Sequence, residues 1–241
     1  MSSARFPILD PNPTATRREL PTVRSLQQLW DEVSSRPLWA PPHFFRYLKL
    51  RHQIRLRLLD PDRVPVFAPE GKVNDCSSCR ELCCVGPRNT VLLRLRAIAT
   101  LIDLERTELM VSQKPSFSED ELRGNPALRL QVASDDWHRF PVLKQNTYGM
   151  CRALDPDGRC TLFPHWPMSC ERFPYMLDIE ARELSYSPRC RSFWIRPDAK
   201  HAVSRMRVST VAAYNERIKD RILLAYAPAR LAQLGVMKFL L

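Results

Sequence analysis

Four cysteines within nine residues constrain the fold of this chain more than any other feature of its sequence. They are Cys76, Cys79, Cys83 and Cys84, with the spacing C-x2-C-x3-C-C. If the segment is helical, the first three thiols share one face, and the fourth points about 100° away. Three thiols can then converge on one metal ion, while the fourth faces a second ion or joins a cluster. Packing in a core explains a single cysteine well but not this spacing, so the motif predicts metal binding.

A second group of cysteines follows about 70 residues later, at Cys151, Cys160, Cys170 and Cys190. The turn sequence Asp-Pro-Asp-Gly at 155–158 predicts that the chain folds back and brings the sulfurs of Cys151 and Cys160 close together. Prolines on both sides of Cys170 stiffen its backbone. Eight thiols suit two four-thiolate sites, or one cluster with additional structural cysteines. Cys190, alone after a predicted hairpin, is equally well explained by packing.

Other side chains offer weaker alternatives to the thiols. His165 lies between Cys160 and Cys170 and can replace a cysteine as ligand, although a loop histidine without a metal is the interpretation that we favour. Asp135 and Asp136 form a carboxylate pair suited to acid-base work, but solvated carboxylates are more common. The remaining histidines have no partner at a ligand spacing, and they are His43, His52, His138 and His201.

The N-terminal sequence has no apolar run typical of a signal peptide, and nowhere are there about 18 uninterrupted apolar residues. We therefore expect a cytoplasmic protein without a membrane partner. Structural disulfides are rare in a reducing compartment, which strengthens the metal interpretation of the eight cysteines. The expected cofactor is Zn²⁺ or iron, including an iron-sulfur cluster, because both metals accept thiolate ligands.

The charge distribution gives little support to a nucleic-acid partner. The net charge is +11, but the basic residues are spread along the chain and form no block of five or six like charges. Arg51, Arg55 and Arg57 are best explained as the solvated face of a helix. The expected partner is a metal ion, and the sequence is also compatible with a protein partner.

The six glycines are isolated from one another, and none of the phosphate-binding or dinucleotide-binding spacings occurs. A serine nucleophile elbow and a C-x-x-C pair in a thioredoxin-like βαβ setting are missing too. We identify no catalytic motif and assign no catalytic residue.

Periodicity predicts a mainly α fold with an irregular cysteine-rich metal-binding centre and one or two small β-hairpins. Helices are expected at 25–34, 42–59, 90–110 and 199–227. Ser25 is expected to cap the first helix, and Pro228 to stop or kink the last one. A helical turn or two is expected within 116–130, and a hairpin at 175–179 and 183–186. The predicted regions are an extended arm at 1–23, a helical extension and linker at 24–75, the cysteine-cluster domain at 76–190, and C-terminal helices at 191–241.

Residues 76 to 190 resemble the bacterial YkgJ-like CxxCxxxCC cysteine-cluster family, whose members are described as zinc- or iron-chelating. The resemblance rests on the first four cysteines with Val85-Gly86-Pro87, on the stretches 151–155 and 158–162, and on Pro167, Cys170, Phe173 and Pro174. The family pattern usually has arginine before Pro167 and a basic residue after Cys170, where this chain has Trp166 and Glu171.

Three functions follow from the motif and the resemblance. The first is a cysteine-cluster protein that binds zinc or iron. The second is an iron-sulfur-dependent enzyme that modifies proteins, because a flagellin lysine methylase is similar in its cysteine pattern. The third is a zinc-stapled module that docks on nucleic acid or on another protein.

Overall fold

Helices form most of the described chain, which confirms the mainly α fold. The structure is a computed structural model that describes residues 20–35, 44–65, 72–74, 91–112, 119–123, 129, 140–156, 160–173, 175–178, 183–186, 193–195 and 200–240. The helices are α1 (Pro21–Ser35), α2 (Phe44–Arg57), α3 (Leu95–Asp103), α4 (Glu119–Arg123), α5 (Met168–Glu171), α6 (Lys200–Tyr226) and α7 (Pro228–Gln233). Single 3₁₀ turns occur at Pro61–Arg63, Thr107–Leu109 and Met237–Phe239.

The strands pair two by two, and each pair is antiparallel. The strands are β1 (Lys72–Asn74), β2 (Met110–Val111), β3 (Val142–Leu143), β4 (Tyr175–Asp178), β5 (Glu183–Tyr186) and β6 (Phe193–Ile195). Only the β4–β5 pair is the hairpin that the sequence predicts. β2 pairs with β3, and β1 pairs with β6 with Asn74 opposite Phe193. These two pairs join segments far apart in sequence, and local patterns did not predict them.

The hydrophobic core lies where α1, α3 and α6 meet. Nearly every residue of α3 from Leu95 to Leu101 is buried, so this helix runs through the centre of the molecule. α1 contributes Leu26, Leu29, Trp30 and Val33, which repeat at intervals of three and four residues and so form one helical face. α6 adds Ile218, Ile222 and Leu223.

Two carboxylates from neighbouring helices cap the helix starts in this core. Asp103, at the end of α3, accepts hydrogen bonds from the backbone N–H of Thr22 at 2.9 Å and of Val23 at 3.2 Å, and from the Thr22 hydroxyl. Asp220 of α6 accepts one from the backbone N–H of Leu95, at 3.3 Å. Free N–H groups at a helix start need such partners. Long-range caps therefore fix how the three helices meet.

Two predicted helix starts are wrong, one because of a cap and the other because of backbone pairing. α1 begins at Pro21 rather than at a Ser25 cap, since Asp103 provides the cap. α3 begins at Leu95 rather than near 90, because Val91 to Leu93 are paired instead with residues 141–143. The backbone N–H of Leu93 donates to Pro141 at 2.9 Å, and that of Leu143 donates to Val91 at 2.9 Å.

The other helix predictions are confirmed within a few residues. α2 falls inside the predicted 42–59, and α4 is the expected short turn of helix. α6 ends at Tyr226, and α7 starts at Pro228, as the proline predicts. Within the described residues, no helix is both long enough and apolar enough to cross a bilayer.

Candidate metal centre

Cys151 is held by a tight turn and a short antiparallel bridge. The side-chain oxygen of Asn146 accepts hydrogen bonds from the backbone N–H groups of Tyr148 and Met150, both at 2.9 Å. Gly149 has φ +75°, a left-handed conformation that glycine adopts without steric cost. The chain then returns, and Cys151 bridges Gln145. The turn therefore fixes the position of this cysteine.

Cys160 lies opposite Leu154 in the next antiparallel bridge. Both the backbone N–H and the hydroxyl of Thr161 donate to the carbonyl of Ala153, at 2.7 and 3.0 Å. The bridge confirms that the chain folds back between Leu154 and Cys160, as the turn sequence predicts. It also brings the sulfurs of Cys151 and Cys160 close enough to interact electrostatically.

The two thiols have matching environments. Burial raises the pKa of the Cys151 thiol, and the backbone N–H of Ala153, which donates to the sulfur, partly offsets that rise. Burial likewise raises the pKa of the Cys160 thiol, and the N–H of Leu162 donates to its sulfur. In both cases the donor is two residues beyond the cysteine. Such donors stabilise a sulfur that carries negative charge, as it does when it binds a metal.

Cys170 lies in α5, and its neighbour Ser169 ties this helix to the start of α3. The Ser169 hydroxyl donates to the carbonyl of Leu92 at 3.1 Å. Within the described chain, no group of three or more His, Cys, Asp and Glu side chains is placed to hold a metal ion. Cys151 and Cys160 are therefore a pair of candidate ligands that neither Cys170 nor His165 completes here.

The remaining cysteines lie outside the described residues. They are Cys76, Cys79, Cys83, Cys84 and Cys190, and Asp135, Asp136 and His138 lie outside them as well. The prediction that these five cysteines bind metal stays a prediction.

Positive charge accumulates beside Cys170. Burial, together with the like charge of Arg94, lowers the pKa of Arg172 to about 10, while the Cys170 sulfur raises it. The like charge of Arg217 also acts on Arg172, while Arg94, Arg96, Lys219 and Glu171 act on the nearby Glu216. An anionic group at Cys170 would therefore be stabilised.

A cavity of about 500 Å³ opens between α1, α3, α5 and α6, and sequence reasoning missed it. His165, Glu171 and Glu216 line it together with Trp30 and Trp166. Burial raises the pKa of Glu216 to about 7, against the opposing effect of Arg96, Arg94 and Lys219, and Glu171 raises it further. In the sequence Glu216 looks like any polar residue of a long helix, and only the packing of four elements creates its environment.

No protein-family model matches the chain. No curated protein and no solved structure matches it either. The chemistry and geometry of the residues are therefore what bears on function, and the resemblance to the YkgJ-like family stays a prediction from cysteine spacing.

Proposed function

We propose that the protein binds zinc or iron through its cysteines, with Cys151 and Cys160 as two of the ligands. The observation that carries the proposal is the pair of thiols brought together by the turn, each accepting a backbone N–H from two residues ahead. Two thiolates supply half of a tetrahedral site. The other ligands would come from the C-x2-C-x3-C-C segment.

The described ends of that segment support this arrangement. One end, Asn74, pairs with Phe193, three residues after Cys190. The other end, Val91, accepts a hydrogen bond from Leu143, on the strand that leads to Cys151. Leu92 next to it accepts one from Ser169, the neighbour of Cys170. The segment with the first four cysteines thus starts and ends close to the chain that contains the second four.

Covalent geometry tightens this argument for two of the cysteines. Cys76 follows Asn74 by two residues, and Cys190 precedes Phe193 by three. At about 3.8 Å between consecutive Cα atoms, the Cys76 and Cys190 Cα atoms lie within about 8 and 11 Å of two residues that face each other in the ladder. Asn74 and Phe193 form the same end of the ladder, so the chain reaches both cysteines from that end, which supports the proposal that they share a site.

The positive charge beside Cys170 fits an anionic metal-thiolate group. A divalent ion with four thiolates has a net charge of −2. Arg172 is buried near Cys170, and the like charges of Arg94 and Arg217 act on it, so a negative charge at this place would stabilise the guanidinium groups. We expect the metal to stabilise the fold, because it binds the native thiols more tightly than those of the unfolded chain.

An iron-sulfur-dependent enzyme is the second candidate, and the cavity favours it. Met168 and Glu171 of α5 line the cavity, so the helix with Cys170 forms part of its wall. Its volume of about 500 Å³ is in the range of small-molecule sites. A carboxyl group with a pKa near 7 suits general acid-base chemistry.

Anaerobic purification of the full chain, followed by elemental analysis and a visible spectrum, tests the proposal. We expect at least one zinc or iron atom per chain. A brown protein with broad visible absorption would favour an iron-sulfur cluster, and a colourless one with stoichiometric zinc would favour a zinc site. Metal-free protein whose melting temperature does not change on addition of either metal would contradict the proposal.

A further inference from the structure

The outer face of α2 combines exposed apolar side chains with positive charge. Leu50 is only 1% exposed and Ile54 packs on the core, so these two residues define the inner face of the helix. On the opposite side Phe44, Phe45, Leu48 and Leu56 have 42, 81, 45 and 60% of their surface exposed. These four are among the most exposed large apolar side chains in the described chain. The rings of Phe44 and Phe45 are in contact, with centroids 5.5 Å apart, and exposed apolar side chains grouped in this way mark a candidate binding surface.

Basic residues surround this apolar face, and no acidic residue is near it in sequence. Lys49, Arg51, Arg55 and Arg57 are exposed on α2, together with His52. Between Glu32 and Asp60 the sequence contains neither aspartate nor glutamate. At 100° per residue, Arg55 and His52 fall among the four apolar positions, and Arg51 and Lys49 fall at their two edges. The partner must therefore accept apolar groups and be negatively charged at the same surface.

We propose that this outer face of α2 docks on the surface of an anionic lipid bilayer. A helix lying in the interface inserts its leucine and phenylalanine side chains among the upper parts of the acyl chains, while its cations meet the lipid phosphates. At about 1.5 Å per residue, the 14 residues of α2 form a platform about 20 Å long. The net charge of +11 adds long-range attraction to such a surface.

Two other partners fit the face less well. A nucleic acid would use the cations, but it would leave the leucines exposed, since they cannot stack on bases as aromatic rings do. A protein that wraps an amphipathic helix needs access to most of its circumference. Leu50 and Ile54 bury one side of α2 in the fold, so only the outer face is available.

This proposal concerns attachment to a membrane surface, whereas the expectation of no membrane partner rested on the lack of a spanning segment. The site is separate from the cysteines and does not depend on the metal proposal.

Co-sedimentation of the full-length protein with lipid vesicles tests the proposal. The probes are vesicles of phosphatidylcholine mixed with phosphatidylglycerol, and vesicles of phosphatidylcholine alone. We expect binding to the anionic vesicles that weakens as salt is added. The double variant Phe45→Ser with Leu48→Ser, and separately Lys49→Gln with Arg55→Gln, should each weaken binding about tenfold or more.

Matched controls are Tyr148→Ser, because this side chain is 82% exposed elsewhere, and Arg123→Gln on α4. Both should bind like the wild type, and circular dichroism should show the same helicity for every variant. No binding to anionic vesicles, or equal loss in the controls, would overturn the proposal. Two further results would overturn it, each in the absence of vesicle binding. The first is binding to duplex DNA that the Phe45→Ser, Leu48→Ser variant retains. The second is a wild-type dimer that becomes a monomer in this variant.

Discussion

At the scale of single residues, the described thiols differ in what surrounds their sulfur atoms. Cys151 and Cys160 each receive a backbone N–H and are partly buried, so burial raises the pKa of both thiols. Cys170 instead lies near the guanidinium of Arg172. A metal ion would displace the protons of the first two thiols when it binds.

The buried carboxyl group of Glu216 predicts how the stability of the fold depends on pH. Its pKa in the fold is about 7, above the ordinary value of 4.5, because burial disfavours the charged form. Between these two values the native state keeps a proton that the unfolded chain has lost, so stability falls as pH rises through this window. Glu216→Gln cannot ionise and should therefore be more stable than the wild type at about pH 8, by about 3 kcal/mol, and nearly equal to it at about pH 4.

Urea unfolding of both proteins at the two pH values measures this difference. The contribution of any bound metal is common to both proteins, so it cancels in the comparison. Glu119→Gln is the control, since that side chain is 93% exposed and should show no pH-dependent gain. A Glu216→Gln effect that is the same at both pH values would contradict the prediction.

At the scale of secondary structure, α3 ends in a C-terminal cap that lacks the glycine by which such a cap is usually recognised in a sequence. The N–H of Arg106 donates to Leu101 at 2.8 Å, and that of Glu105 donates to Ile102 at 3.0 Å. This is the Schellman pattern, in which the residue after the helix is usually glycine. Here Glu105 takes that place with φ +55°, a left-handed conformation that is unfavourable for any residue with a Cβ atom.

Glu105→Gly should raise the free energy of unfolding by about 1 kcal/mol, because glycine adopts this conformation without the steric cost. Glu105→Ala is the matched control, since it removes the same carboxylate but keeps the Cβ atom. Urea unfolding should show a gain for glycine and none for alanine. Equal midpoints for the two variants would mean that the helix end is not strained.

Elements with strong local signals could be predicted from the sequence. Alternation gave the β4–β5 hairpin, and Pro228 gave the break between α6 and α7. The start and the end of α3 could not be predicted, since the start depends on pairing with residues 141–143 and the end has glutamate where glycine is usual. The β1–β6 pair joins segments about 120 residues apart, and no short pattern encodes such a register.

For the candidate site, the sequence predicted the approach of Cys151 and Cys160 because a turn sequence lies between them. It did not predict the cations near Cys170 or the cavity around Glu216. Both arise where α1, α3, α5 and α6 meet, so they depend on packing between distant segments. The prediction that Cys170 joins a shared site is untested by the described residues, which show only the pair.

At the scale of the whole molecule, described residues on both sides of the first cysteine group contact segments next to cysteines of the second group. The β1–β6 ladder lies at one end of the first group, and the Ser169 hydroxyl bond to Leu92 at the other. Asp220 fixes the start of α3 at Leu95, three residues after Leu92. The central claim is therefore that cysteines from both groups hold the same metal centre.

The metal content of cysteine variants, purified identically and without oxygen, tests this claim most directly. Cys79→Ser and Cys160→Ser change one thiol in each group, and serine is a far poorer ligand for zinc or iron. Leu154→Ala is the control, since it alters the residue that faces Cys160 but removes no ligand. We predict that both serine variants lose most of their metal while Leu154→Ala retains it. Full metal content in Cys79→Ser and in Cys160→Ser would contradict the claim.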